Sequence, residues 1–304
     1  MTLQEPSGVL IVDKHTGLTS HDIVGRVRHL YNTKKVGHTG TLDPDASGVL
    51  VILIGRAAKA AEYLSSDTKC YSARLRLGLT TDTEDASGAI LSRSDALPTR
   101  EEVVERCASF VGKIKQVPPM YSALKRDGQK LCDLARRGIV VERESREITI
   151  HSLSCTPTEE SSDYILDVFC SSGTYIRTLC SDIGAALGCG GIMAELRRTV
   201  AGGFSLEEAH TIAELEKMSY EERVALLSPV EGLFSELPAV CLPAFFERLC
   251  RSGCEIYQKK IRTELPLGQR VRLCDASGCF FALGEVGEYT DGSAIKSIKI
   301  FELK

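Results

Sequence analysis

Gly37-His38-Thr39-Gly40-Thr41-Leu42-Asp43-Pro44-Asp45-Ala46-Ser47-Gly48 runs directly into Val49-Leu50-Val51-Ile52-Leu53-Ile54, which is apolar at every position. An uninterrupted apolar run of this length, most of it β-branched, predicts a strand buried on both faces. The polar, glycine-rich stretch ahead of it, from Gly37 to Gly48, reads as a loop. Glycines at both ends free the backbone for unusual dihedrals and for close approach to a ligand. Pro44 fixes the chain just after Asp43 and pushes Asp43 itself toward an extended conformation. A carboxylate held on a rigid loop between elements is well placed to act on a substrate. Two plainer readings compete. Asp-Pro pairs are common turn formers, so Asp43 alone is more often structural than catalytic. A phosphate-binding loop is excluded by the missing Gly-Lys-Ser/Thr ending. Residue chemistry alone leaves the function open.

Upstream, Gly8-Val9-Leu10-Ile11-Val12-Asp13-Lys14 predicts a strand entering a turn at Gly17. Thr19 caps a helix through Ile23, Val27 and Leu30, with Asp22 completing a capping-box-like start. Downstream, residues 56–64 are Ala-rich and helical in propensity. Residues 71–77 alternate apolar and polar side chains, the period of a half-exposed strand. Thr99-Arg100-Glu101-Glu102 opens another helix toward Phe110. Strands are expected at 148–154 and 164–170, and a helix at 175–187 ended by Gly188. This interspersion lacks regular βαβ spacing and predicts an α+β catalytic domain with a mixed sheet. Past Pro229, Pro238 and Pro243, short strand-like runs separated by glycine turns predict a small β-barrel starting near Leu237. The chain therefore divides into residues 1–236 and 237–304.

With 43% hydrophobic and 26% charged residues in 304, the composition is that of an ordinary globular protein. No apolar run approaches the about 20 residues that span a bilayer. The first six residues carry no secretory pattern, so a cytoplasmic location is expected. The twelve cysteines are scattered and often sit inside apolar segments, which reads as buried thiols. Cys250 with Cys254 and Cys274 with Cys279 form C-x3-C and C-x4-C pairs, looser than zinc knuckles, so zinc is a lesser reading. The net charge of −4 hides a segregation. Acids crowd residues 207–222. Bases crowd Arg26, Arg28, Lys34 and Lys35, then Lys113, Lys115, Lys125, Arg126, Lys130, Arg136 and Arg137. Such local basic faces bind phosphates whatever the total charge, although each cluster alone also reads as a solvated face.

Several motifs, in order, resemble the TruB-type tRNA pseudouridine-55 synthases. They are the Gly8–Lys14 run, the 37–48 stretch, Lys69-Cys70-Tyr71 and Gly78-Leu79-Thr80-Thr81-Asp82-Thr83-Glu84-Asp85. Pro119-Met120-Tyr121-Ser122-Ala123-Leu124-Lys125, Ser172-Gly173-Thr174-Tyr175-Ile176-Arg177-Thr178 and Leu196-Arg197-Arg198 follow. The resemblance implies the pseudouridine synthase fold, a mainly antiparallel mixed sheet flanked by helices. It also implies a carboxy-terminal RNA-binding barrel of the pseudouridine synthase and archaeosine transglycosylase (PUA) type.

What the resemblance implies for function is specific. Uridine 55 in the tRNA TΨC stem-loop is detached from its ribose, rotated and rejoined through carbon, with no cofactor or metal and no guide RNA. Asp43 becomes the nucleophile, attacking either the sugar carbon or the uracil ring. Arg177 pairs with it and offsets the rise in pKa that burial causes. Asp85 orients Arg177. Tyr71 stacks on the uracil where the carbon proton leaves, Tyr175 and Leu196 line the pocket, and Lys14 is a further substrate-binding residue. His38 enters the stack vacated when the base flips out. The basic stretch, about residues 113–147, is an insertion that closes over the RNA. A monomer that makes no membrane contact is expected. A non-catalytic tRNA-folding chaperone and the catalytic subunit of a guide-RNA particle are the rival readings.

Overall fold

The structure, a computed structural model, describes residues 5–64, 68–122, 124–126 and 128–301. Residues 1–4, which the expectation about a secretory pattern includes, and Ala123 of the Pro119 motif lie outside the described residues.

The central sheet is built from β1 (Gly8–Lys14), β2 (Val36–Thr39), β3 (Ala46–Ile54), β4 (Lys69–Leu77), β5 (Gly112–Gln116), β6 (Arg146–Pro157), β7 (Asp163–Cys170), β8 (Gly191–Ala201) and β9 (Phe204–Ser205). Its order is β1-β3-β8-β4-β7-β6-β5, with β2 added to β3 and β9 to β8. Every pairing is antiparallel except β8 on β3, where Leu196, Arg197 and Arg198 face Ala46, Ser47 and Gly48. The predicted mixed α+β sheet is therefore present. The expected loop is shorter than its sequence suggested: His38 and its neighbours pair with β3, leaving residues 40–45 as the loop proper.

Burial explains why β3 is apolar throughout. Val49, Val51 and Leu53 enter one core with Val9, Ile11 and Phe204. Leu50, Ile52 and Ile54 enter another, with Leu10, Val12 and helix α1 (Ser20–Leu30). On β4 the side chains alternate. Tyr71, Ala73, Leu75 and Leu77 face a third core, against α2 (Arg100–Ala108) and α3 (Ile176–Ala186). Arg76 points away and grips Asp163 through two bonds of 2.9 and 2.7 Å. Thr19 with Asp22, and Thr99 with Glu102, form capping boxes as predicted. The Ala-rich 56–64 stretch winds as a 3-10 helix, Gly55–Tyr63. The acidic stretch has a local cause, because Glu208, Glu214 and Glu222 each close a capping box on Ser205, Thr211 and Ser219.

The carboxy-terminal sheet corrects the barrel expectation. Its order is Ala239–Cys241, Arg270–Cys274, Phe280–Tyr289, Gly292–Ile300, Ile256–Tyr257, and the first and last strands do not pair. It is an open half-barrel. Those end strands have three and two residues, and helix Ala244–Arg251 packs Cys250, with Phe246 and Leu249, into the core they share. Cys250 and Cys274 belong to different cores, and Cys254 and Cys279 are exposed. Among the described residues no three metal-ligating side chains converge. The chain continues the central core across the boundary near residue 237, since Cys274, Phe280 and Phe301 pack with Val9 and Phe234.

Candidate active site

The loop at 40–45 emerges where two strands succeed one another along one edge of β3. β2 pairs with Val51–Ile54 and β8 takes over at Ala46–Gly48, while β1 holds the opposite edge. At the changeover Gly48 adopts φ +104°, and a Cβ there would lie 2.1 Å from the Arg198 carbonyl oxygen. Only glycine fits. The Arg198 side chain, 1% exposed, donates to Val49 O at 2.8 Å and to Gly40 O at 3.0 Å. Ser20 Oγ donates to Leu42 O (3.1 Å) and accepts from Leu42 N (2.9 Å). Lys14 Nζ donates to the carbonyls of His15, Leu18 and Pro44. Gly40, Leu42 and Pro44 are thus tied down by their backbones, and the Asp43 side chain takes no part in these ties.

Lys14 departs from the expectation of a substrate contact. It is fully buried, and its three donors are taken by the three carbonyls. Burial pulls its pKa down to about 8, against the opposing pull of Asp43. Its position makes it a tether for the Asp43 loop.

Arg177, in the first turn of α3, puts Nε 3.0 Å from Asp43 Oδ2, with its side chain 6% exposed. The rest of the guanidinium is satisfied by Thr83 O (3.2 Å) and Tyr121 O (2.7 Å). Asp85 Oδ2 stands 3.7 Å from NH1. Asp85 is itself fixed, since its Oδ1 accepts from Thr83 Oγ1 and from the backbone and hydroxyl of Ser87. Asp43 keeps 40% of its side-chain surface open. Protein packed around it nonetheless pushes its carboxyl above the ordinary value, and the Arg177 charge opposes that rise without cancelling it. The Asp43 carboxyl is thus partly open, with one firm charged partner.

Tyr71 lies across from Arg198 in the β4–β8 register and is 8% exposed. Burial raises its phenol, and the Arg198 guanidinium opposes the rise. Tyr175, the N-cap residue of α3, is half-buried, and burial raises its phenol too, with Ser122 opposing. The Asp43 charge acts on both phenols. Leu196 sits between two cores, packed partly against each. His38, on β2, is half-buried. Its Nδ1 has no partner among the described residues, and burial holds its imidazole below the ordinary pKa. The fold thus brings Asp43, Arg177, Asp85 and the two tyrosines together. Sequence reasoning did not single out Gln116 or Ser20, whose roles arise from contacts 59 and 22 residues away along the chain; a polar residue closing an alternating strand was the only available signal for Gln116.

Residues 28–176 match the model of the TruB family pseudouridylate synthase amino-terminal domain. Residues 177–235 match that of the tRNA pseudouridylate synthase B carboxy-terminal domain. The tRNA pseudouridine synthase B of Aromatoleum aromaticum is 48% identical over 246 residues, covering 81% of this chain and 80% of its own. That of Clostridium perfringens is 41% identical over 284 residues, covering 93% and 96%. A crystal structure of a Cbf5–Nop10–Gar1 complex superposes with a TM-score of 0.76 at 26% identity, covering 97% of this chain and 85% of the matched one.

Proposed function

This chain belongs to the TruB family of pseudouridylate synthases, and on that footing we propose that it isomerises uridine 55 of the tRNA TΨC loop to pseudouridine, with Asp43 as nucleophile. The observation that carries the residue assignment is the 3.0 Å contact of Asp43 with a buried Arg177, with the phenols of Tyr71 and Tyr175 close enough to feel the Asp43 charge. The bond from N1 of uracil to C1′ of the ribose breaks, and a bond from C5 to C1′ forms. The C5 proton leaves and N1 regains one, so atoms and electrons balance within the substrate. The work left to the protein is nucleophilic attack and proton movement.

A base stacked in a tRNA loop has to be everted to meet Asp43, at a cost of a few kcal/mol. Stacking on the face of Tyr71, worth about 1–3 kcal/mol, offsets part of that. Arg177 keeps Asp43 ionised against its burial, and Asp85 holds Arg177 from the far side. His38, neutral and with an unpaired ring nitrogen, takes the vacated position in the loop. The sheet stops at Gln116 and resumes at Arg146. The excursion between them carries Lys125, Arg126, Lys130, Arg136 and Arg137 on its exposed surface, which suits it to close over the RNA backbone. The open carboxy-terminal sheet is assigned as a second RNA-binding module.

The test is direct. Purified protein is incubated with unmodified tRNA and no guide RNA, and pseudouridine is mapped along the product. Modification at one uridine of the TΨC loop is expected; an unmodified tRNA would refute the proposal.

A further inference from the structure

The edge strand β5 ends in Gln116, a residue only 2% exposed. Its amide is used entirely on one distant residue. Oε1 accepts from the Tyr175 N–H at 2.8 Å, and Nε2 donates to the Tyr175 carbonyl at 3.0 Å. Tyr175 has no side-chain cap of its own as it starts α3, and its carbonyl also takes the Leu179 N–H. A buried amide that bonds the N–H and the C=O of the same residue substitutes for a missing sheet neighbour, and removing it leaves the Tyr175 N–H unpaired and its carbonyl with the Leu179 bond alone.

The placement of this clamp is what gives it significance. Tyr175 lies close enough to feel the Asp43 charge, and Arg177 lies two residues further along. On the other side, the chain leaves the sheet directly after Gln116. It returns at Tyr121, whose carbonyl accepts from Arg177 NH2 at 2.7 Å. Arg143, near the far end of the same excursion, donates to Pro118 O at 3.0 Å. The root of the basic excursion is therefore bonded to the start of α3 at two points, the Tyr175 backbone and the Arg177 guanidinium.

We propose that Gln116 is a positioning residue that couples the basic excursion to the Arg177–Asp43 pair, by fixing the Tyr175 backbone and with it the point where Arg177 meets Asp43. The inference rests on the function proposed above. A displacement of catalytic groups by about 1 Å costs up to about 100-fold in rate, which sets the size of the effect to look for.

Gln116→Glu keeps the acceptor for Tyr175 N–H but turns the donor into an oxygen facing Tyr175 O. Gln116→Leu removes both bonds. Single-turnover pseudouridine formation is expected to fall by about 10- to 100-fold in both variants, while the Kd for tRNA stays within about 3-fold. In an Arg177→Met background, followed over long incubations, the same substitutions are expected to cost less than about 3-fold, because the group they act through is already gone. An unchanged rate in the folded variants overturns the proposal. So does a loss that weaker tRNA binding accounts for, or one equally large in the Arg177→Met background. If the leucine variant does not fold, the glutamate variant decides. Wild-type protein run alongside separates the two claims: no product from wild type refutes the proposed function, whereas product from wild type with undiminished variants refutes only the coupling.

Discussion

Arg177 Nε stands 3.0 Å from Asp43 Oδ2, and the arginine is buried while the aspartate is partly exposed. The pair is therefore asymmetric: the guanidinium is fixed by two carbonyls and Asp85, and the carboxylate has room to reach a substrate. Asp43→Asn removes the nucleophile with almost no change in shape. It is expected to leave the tRNA Kd within about 3-fold and to reduce product formation to background, a loss of transition-state stabilisation and not of binding. Pseudouridine formed at full rate by this variant would remove the assignment.

The raised pKa of Asp43 has a consequence for acid sensitivity. The carboxyl acts as a nucleophile only when ionised, so activity is lost as pH falls through its pKa. Burial places that pKa above the ordinary aspartate range of about 4. A single-turnover rate–pH profile is expected to bend above that value. Arg177→Met takes away the opposing charge, so its bend is expected at higher pH as well as its rate being lower. A bend at the same pH in both proteins would show that another group is being titrated.

Gly48 is where the loop is anchored, and it has a built-in control. Gly48→Ala forces a Cβ onto the Arg198 backbone at φ +104° and is expected to destabilise by more than about 2 kcal/mol. Gly37→Ala meets nothing within 4 Å and is expected to change stability by less than about 0.5 kcal/mol. Chemical denaturation of the two variants checks the contrast.

Asp182 gives a stability effect with a defined sign. Burial, with help from the Glu84 charge, lifts its pKa to about 6. The unfolded chain releases this proton near pH about 4. Between those values the folded state binds more protons, so this residue's contribution to stability falls as pH rises and stays low above pH 6. Asp182→Asn is expected to raise stability by about 1–2 kcal/mol at pH 7.5, or a Tm rise of a few degrees. It is expected to match wild type below pH 4. Equal Tm values at pH 7.5 would contradict it.

Binding of tRNA is expected to weaken steeply with added salt, as it does wherever cations displace counterions from phosphates. Replacing both Lys125 and Lys130, exposed on the excursion, by alanine is expected to lower the slope of log Kd against log salt by up to about 2. Catalysis at saturating tRNA is expected to change far less. An unaltered slope would place the phosphate contacts elsewhere.

How much of this was legible in the residues depends on the range of the interaction. The strand at Gly8–Lys14, the doubly buried β3 and the capping boxes at Thr19 and Thr99 are local patterns, and the structure shows each of them. The half-exposed β4 follows from strict alternation. The 40–45 loop was overestimated because β2 is polar, and its pairing depends on β3 rather than on its own composition. The barrel was overestimated for a related reason. Glycine turns show where strands end, but not whether the outermost two meet. Asp43, Tyr71 and Arg177 were singled out through motif order, and the structure brings them near one another. Lys14 was assigned to the substrate because its motif says nothing of three carbonyls converging from residues 15, 18 and 44. Gln116 was missed because its partner is on another element.

At Gly48 the closest approach is between two main chains, with no side chain between them. The address of the Asp43 carboxylate is thus inherited from sheet geometry. Relocating that carboxylate would take a change of strand register at Gly48, and exchanging side chains along the loop would not achieve it.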